Sequence, residues 1–490
     1  MPGSSVQTPG RGRALYEEFK ARILDGTFAP GSALPSSRAC AAERGLSRTT
    51  VSAVFEQLAA EGYIHNRAGA AARVAKGLTS RHAEPARQDA MAPPRISQAG
   101  RRLMAHPIAF VQPAPAGSFD FAYGPLSRED FPTLMWAKAV RRAEVAQPSR
   151  LAYEDPRGCK LLREELARYL ARSRGLQCSA DQLVITNGSQ QVVDLCARLL
   201  LDPGDQVAVE NPGYRMAHRA FAATGARLYA VDVDQLGMLT SRLPSSDTRL
   251  AFVTPSHQFP LGSFLAAPRR IELLDWSARQ NAWVIEDDYD GEYRHSIRPE
   301  QTLKSLDQRD RVIYVGTLSK TLSPRLRIGY AVLPRVLVDP FVQLKQVADR
   351  HSPTLHQIAL AHLIADGRYE RHVRRMRRTQ SARQQALLAA IERHLGPRAA
   401  VQGAATGLHV VVWIKGFANA DAMKLLGAAQ QAGVFVDSID HHFLPGTPRR
   451  GASAGIGLVM GYALLSPEQI DKGVKRLAML LRGMTAKQAQ

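Results

Sequence analysis

Apolar positions recur at helical spacing three times near the start of the chain. Leu15, Phe19, Ile23 and Leu24 mark a helix over 14–24, stopped by Gly26 and the Pro30-Gly31 pair. The run Leu34-Pro35-Ser36-Ser37-Arg38 opens a second helix, which Gly45 ends. Ser36 or Ser37 can cap it, because a hydroxyl there accepts a backbone N–H that has no partner inside the helix. Val51, Val54, Phe55 and Leu58 form the stripe of a third helix over 47–60. Gly62-Tyr63-Ile64 and Arg73-Val74, with Gly69 between them, predict two short strands around a tip. Together these elements predict a compact first unit over residues 1–77.

The pattern then breaks. Pro85, Pro93, Pro94, Pro107, Pro113 and Pro115 interrupt residues 78–115, which predicts a flexible linker. A flexible segment of about 35–40 residues has an end-to-end distance on the order of 30–35 Å. From Phe119 onward, helical and strand patterns alternate through a second unit over 116–490. An amphipathic helix is predicted over 157–174. Apolar strands are predicted over 183–186, 206–210, 227–231, 250–254, 282–286 and 312–315, with a helix over 190–201 after the first. This alternation argues for an α/β unit with a parallel sheet covered by helices. The last part, about 370–490, mixes a long Arg-rich helix with strands such as 409–414 and predicts a smaller α/β subdomain.

Composition narrows the function. With 45% hydrophobic and 22% charged residues, the 490-residue chain is not disordered as a whole, and its length suits two to four folding units. No apolar run approaches the ~18 residues of a membrane span. The sequence Met-Pro-Gly-Ser-Ser-Val-Gln has no apolar core of a secretory signal, so a soluble, cytoplasmic protein is expected. Cys40, Cys159, Cys178 and Cys196 are scattered, so neither a disulfide framework nor a structural zinc site is expected, and no metal is assigned. The formal net charge of +20 points to a polyanionic partner, most simply nucleic acid. Residues 1–80 hold ten basic and six acidic residues, so sixteen of the twenty surplus charges lie on the rest of the chain. Arg371, Arg374, Arg375 and Arg378 fall on one broad helix face. That face is either simply solvated or a track for DNA phosphates.

The richest chemistry follows the strand over 312–315. There Gly316-Thr317-Leu318-Ser319-Lys320 leads into Arg325-Leu326-Arg327. A lysine among hydroxyls at a strand end suits a Schiff base, and the hydroxyls with Arg327 suit a phosphate, the two anchors that pyridoxal 5′-phosphate (PLP) needs. Glu286-Asp287-Asp288-Tyr289-Asp290 follows another strand and offers an acid for the pyridine nitrogen. Asn187-Gly188-Ser189-Gln190 opens a helix, where backbone N–H groups favour a phosphate. Glu210-Asn211-Pro212-Gly213-Tyr214 offers a ring to stack on the cofactor. All these segments lie at carboxyl ends of predicted parallel strands, where open α/β sheets bind ligands.

These residues carry a resemblance. Residues from about 119 to 480 resemble a fold-type I aminotransferase, with a large parallel-sheet subdomain and a small C-terminal one. The first unit, from Leu34-Pro35-Ser36-Ser37-Arg38 through Leu46-Ser47-Arg48-Thr49-Thr50-Val51 to Glu61-Gly62-Tyr63-Ile64, resembles the GntR winged helix-turn-helix. The pairing is similar to the MocR-type GntR regulators across nearly the whole chain. The resemblance implies that Lys320 forms the internal aldimine with PLP. Asp287 then pairs with the pyridine nitrogen, Tyr289 with the phenolic oxygen, and Tyr214 stacks on the ring. Gly188, Ser189, Gln190, Thr317, Ser319 and Arg327 surround the phosphate. Tyr153 reaches the phosphate of a neighbouring subunit, which implies a homodimer.

Two departures stand out. The usual Asn-Pro-x-Gly turn reads His257-Gln258-Phe259-Pro260-Leu261-Gly262, and Gln258 is expected in the place of the asparagine. The substrate-carboxylate arginine is missing from Gly457-Leu458-Val459-Met460-Gly461, with Val459 in its place. This argues against recognition of an ordinary α-amino acid carboxylate and against efficient transamination. Arg215 and His218 are alternative acid-binding side chains.

In the first unit, Ser36, Arg38, Ser47, Arg48, Thr49 and Thr50 are the expected DNA contacts, joined by Arg67 and Arg73 on the wing. Arg48 is expected to read a base and Arg38 a phosphate. The expectation is a PLP-dependent regulator of double-stranded operator DNA that senses an amine or amino-acid-type effector, or PLP itself. The alternatives are a metabolic aminotransferase with an appended DNA-binding domain, or a PLP-independent DNA-binding protein with a degenerate site.

Overall fold

The computed structural model describes residues 10–66, 70–77, 95–105, 107, 113–146, 152–294, 301–449 and 455–488. The expected DNA contact Arg67 lies outside them. The chain divides into two compact units, Met1–Arg95 and Ile96–Gln490.

In the first unit, helices Arg11–Leu24, Ser37–Arg44 and Arg48–Ala60 precede the antiparallel strands Ile64–His65 and Arg73–Val74. The first helix begins three residues before the expected start at residue 14, because Arg11, Gly12 and Arg13 add a turn that apolar periodicity does not register. Leu15, Phe19, Ile23, Val51, Phe55, Leu58 and Val74 close the core. Ser36 Oγ accepts Ala39 N–H at 3.1 Å and Ser47 Oγ accepts Thr50 N–H at 3.1 Å, so both serines cap helices.

The second unit is built on an eight-stranded sheet. Its order is Leu183–Thr186, Gly329–Val332, Val312–Thr317, Trp283–Asp288, Thr248–Val253, Gln206–Asn211, Arg227–Asp234 and Gly237–Met238. The four pairings from Val312–Thr317 across to Arg227–Asp234 are parallel. Gly329–Val332 runs antiparallel to both its neighbours. That strand is four residues long and begins where the Lys320 loop ends, so the loop's chemistry masks it in the sequence. Two apolar clusters, one with Leu162, Leu166 and Leu360 and one with Val193, Phe221 and Phe341, pack helices onto the sheet.

The small subdomain is a four-stranded antiparallel sheet in the order Ala399–Gln402, His409–Ile414, Ile456–Gly461 and Asp437–Ser438. It is covered by helices Arg368–His394, Ala422–Gln431 and Pro467–Gln488. Arg383 and Asp130 form an ion pair at 2.5 Å that ties the long helix to the segment entering the large sheet.

The expected linker is not uniform. Gln98–Ala105 forms a helix that docks on helix Arg215–Thr224. Arg102 Nε donates to Ala223 O at 3.0 Å, and Arg219 Nη2 donates to Leu103 O at 3.1 Å. Linker prolines do not register this helix, because its anchoring bonds run to a surface more than a hundred residues away.

Candidate functional site: a lysine in an aromatic and acidic pocket

The parallel register sets Val315 beside Asp287, so the chain ends that follow these two strands share one edge of the sheet. Lys320 lies three residues past the first. Its Nζ donates to Gly124 O at 3.3 Å and sits 4.3 Å from the centre of the Tyr123 ring. Burial pushes the ammonium down to about 8, against the opposing pull of Asp290 and Asp287.

The acidic run sorts itself by partners. Glu286 accepts the backbone N–H groups of Leu303 and Lys304 at 2.8 Å each. Asp288 is held by Arg174 at 2.7 Å and by the Tyr314 hydroxyl at 2.7 Å. Against the effect of burial, Arg174 and Tyr314 keep Asp288 below the usual carboxylate range. Asp287 differs: it is 5% exposed and its Oδ1 is buried without a hydrogen-bond partner, as is Asp288 Oδ1, but no arginine or hydroxyl holds its other oxygen as Arg174 and Tyr314 hold that of Asp288. Burial, with the nearby Asp288 and Asp290 carboxylates, pushes it up to about 8. A buried acceptor in this state awaits a donor, and a ring N–H⁺ would supply both the proton and the charge.

Tyr289 donates to His257 O at 2.8 Å, and its oxygen is 3.0 Å from His257 Nδ1. The same Nδ1 is 2.9 Å from Asp290 Oδ2. His409 stands beside this group with its Nε2 on Pro260 O at 2.9 Å, and burial, then His257, hold it well below the usual histidine range. His257, Asp290 and His409 set three potential metal-ligand atoms within 4.8 Å of one another. His257 Nδ1 already serves Asp290 and Tyr289.

The turn over 257–262 departs from expectation. The Gln258 amide nitrogen bonds Pro212 O at 2.8 Å and Phe259 O at 2.6 Å, while its oxygen accepts Leu261 N–H at 3.1 Å. Its polar capacity holds the turn together. The Phe259 ring instead meets the site's aromatics, 5.3 Å from Tyr123, 6.0 Å from Tyr214, 6.0 Å from Tyr289 and 4.9 Å from His442. The two side chains are adjacent in the chain, so a shift of one residue along the turn exchanges their places.

The anion cradle forms where helix Ser189–Leu200 begins. Gly188 has φ +83°, and a Cβ there would lie 2.5 Å from Arg327 Nη2, so this position takes only glycine. Arg327 Nη2 donates to Asn187 O at 2.8 Å, which lays the guanidinium along the cradle. Thr317 Oγ1 bonds Ser319 Oγ at 3.0 Å and accepts Ser319 N–H at 3.2 Å. Beneath the cradle, Asp349 accepts from Asn187 Nδ2 and Gln191 Nε2, each at 2.8 Å, and pairs with the buried Lys345 at 3.0 Å. Gln190 reaches sideways, its nitrogen on Met216 O at 3.2 Å and its oxygen 3.4 Å from the Tyr214 hydroxyl. Tyr153 is 73% exposed, with the Arg350 guanidinium 4.3 Å from its ring centre.

Sequence reasoning missed Tyr123, Phe259, His257, Asp290 and His409. An aromatic directly before Gly124-Pro125 was a usable signal for Tyr123. His409 lies inside an apolar strand and carried none.

On the first unit, Ser47 Oγ also bonds the hydroxyls of Thr49 at 2.8 Å and Thr50 at 2.7 Å, so this cluster shapes the helix start. Arg38 and Arg48 are exposed. Arg73 is exposed too, with one guanidinium nitrogen on Gly31 O at 2.9 Å.

A mixed sheet with a lysine, an unpartnered aspartate and an anion cradle on one edge defines a fold-type I, PLP-dependent aminotransferase-like unit, here behind a helix-turn-helix unit. Residues 122–471 match the aminotransferase class I and II family, and residues 11–74 match the bacterial regulatory proteins of the gntR family. The chain is 35% identical to the probable rhizopine catabolism regulatory protein MocR of Rhizobium meliloti, over 95% of this chain and 92% of that protein. It is 31% identical to the HTH-type transcriptional regulator TauR of Rhodobacter capsulatus, over 98% of each. The alpha-aminoadipate aminotransferase LysN of Thermus thermophilus, solved with N-(5′-phosphopyridoxyl)-L-leucine, superposes with a TM-score of 0.66 at 29% identity, covering 76% of this chain and 94% of that one. The chain therefore belongs to the MocR-type regulators of the GntR family.

Proposed function

We propose that the chain is a homodimeric, PLP-dependent transcription regulator that works on operator DNA in the cytoplasm and senses an amine effector, or PLP itself. The observation that carries this reading is the Lys320–Asp287 pair, an amine of lowered basicity beside a buried carboxyl lacking a donor, in a chain that begins with a DNA-reading unit.

PLP, when bound, supplies an electrophilic carbon that exchanges one amine partner for another. Lys320 is the resident amine; at about 8, its basicity leaves part of it neutral, and so nucleophilic, near neutral pH. Asp287 accepts the pyridine N–H and keeps the ring protonated. Tyr289 would turn its hydroxyl proton from His257 O to the phenolic oxygen. Gly188, Ser189, Thr317, Ser319 and Arg327 hold the phosphate, and Tyr214 covers the ring. Ser36, Arg38, Ser47, Arg48, Thr49, Thr50 and Arg73 form the DNA-reading face, and the exposed Tyr153 completes the partner's phosphate site. Helix Arg215–Thr224 begins directly after Tyr214 and carries the docked helix Gln98–Ala105, a physical route from cofactor to linker.

The test is spectroscopic and functional together. The purified protein should be yellow, Lys320→Ala should abolish the absorbance band, and operator affinity should change when PLP or an amine is added. An unchanged spectrum in Lys320→Ala refutes the site assignment. Keto-acid production from amino-acid donors at enzymatic rates marks the chain as an aminotransferase instead.

A further inference from the structure

Building on the PLP reading, we infer that the pocket at Lys320 selects a primary amine whose amino-bearing carbon carries no carboxylate and whose arm is apolar or aromatic.

The pocket is organised to hold a cation. The Lys320 ammonium already occupies it, over the face of Tyr123 at 4.3 Å and against Gly124 O at 3.3 Å. Tyr123 is enclosed by His409 at 4.6 Å, Phe259 at 5.3 Å and Tyr289 at 6.1 Å. Burial keeps His409 neutral, so this imidazole adds no positive charge. Asp290 and Asp287 are the charges that act on the ammonium, and both are carboxylates. An incoming ammonium thus meets a ring face, a carbonyl and two acidic side chains, with no basic group among them.

A carboxylate on the same carbon meets the reverse. Tyr123 packs against an apolar cluster of Val233, Leu261, Val411, Trp413, Ile439 and Val459. Val459 is 1% exposed and pairs with Val411 on the central strand of the small sheet. Gly461, two residues on, bonds its N–H to Phe121 O at 2.7 Å, which seats this strand against the segment carrying Tyr123. The six side chains of that cluster are apolar, and the Arg449 guanidinium, 5.6 Å from the Phe443 ring that packs on them, is already paired with Asp440. A carboxylate placed there exchanges water for aromatic and aliphatic carbon, a transfer that is strongly unfavourable without a paired donor. The structure therefore favours the decarboxylated member of any amino acid and amine pair.

Matched pairs isolate the carboxylate. Full-length protein loaded with PLP is titrated with phenylalanine against 2-phenylethylamine, and with leucine against 3-methylbutylamine, following the cofactor absorbance and, in parallel, operator binding. The amine of each pair should act at a concentration about tenfold lower or less. Val459→Arg should shift the preference toward the amino acid. Phe259→Asn, a change on the pocket lining and gentler on the core, should shift it the same way. Equal response to both members, response to the amino acid first, or response to neither overturns the amine inference while the band itself persists. Absence of any cofactor band sinks the PLP reading instead, so the two failures are distinguishable.

Discussion

At the scale of single residues, three buried carboxyls give the protein a signature that needs no ligand. Burial pushes Asp287 up to about 8, and Glu210 and Glu286 up to about 7. A carboxyl whose pKa is raised by folding binds its proton more tightly in the native state than in the unfolded chain. Its contribution to stability is full below about pH 4, the unfolded value, and is lost as pH rises through the folded value. In the cofactor-free protein these carboxyls should thus contribute less and less stability from pH 5 to pH 8, against the opposite rise that the buried, neutral His218 and His409 add as pH climbs to about 6.5. Asp287→Asn, neutral at every pH, should flatten part of that slope, by on the order of a few kcal/mol across the range. Urea midpoints at several pH values measure it, and an unaltered slope would show that Asp287 ionises freely. Residue identity was legible here only in part. The sequence presents 286–290 as an acidic run, and the resemblance singles out Asp287. Why its neighbours are unavailable depends on Arg174, Tyr314 and the 303–304 backbone, which no local pattern announces.

Among elements, the anion cradle rests on a polar raft beneath the start of one helix. Asp349 holds Asn187, Gln191 and Lys345 together, and Gln191 Oε1 accepts Asn187 N–H at 2.8 Å. Asp349→Ala leaves the fully buried Lys345 without its counter-charge and should destabilise the fold by about 3–5 kcal/mol. Gln191→Leu spares that ion pair but frees the loop, and should weaken PLP retention roughly tenfold with little loss of stability. Dialysis against buffer, followed by absorbance, separates the two; equal PLP retention in Gln191→Leu and the parent would remove the raft from the account. The cradle itself was legible, since a glycine at the strand-to-helix junction has a local cause. The raft was not, because Asp349 lies far along the chain from Asn187. The turn over 257–262 shows the same limit: its existence could be read, but not which of two adjacent side chains meets the pocket.

For the whole molecule, the distribution of charge matters more than its total. Most of the surplus lies outside the DNA-reading unit, and Arg371, Arg374, Arg375 and Arg378 are exposed on helix Arg368–His394. Arg375 and Arg371 each place one guanidinium nitrogen on a backbone carbonyl, of Asp130 at 3.1 Å and Asp366 at 3.3 Å. If this face tracks phosphates, reversing Arg371 and Arg374 to Glu should weaken operator binding and lower the salt slope by about two, with the thermal midpoint kept. An unchanged slope would return the face to ordinary solvation. The division into a reading unit and a larger α/β body was legible from periodicity alone. The docked helix was not, and it alters what the connection can do. Covalent geometry allows each residue at most ~3.6 Å of advance. Anchored at Gln98 rather than beyond Pro115, the segment after residue 77 reaches about half as far as an undocked one would. In the proposed dimer the chain is thus a ruler as well as a reader: the furthest separation of operator half-sites it tolerates is written into where that helix is pinned.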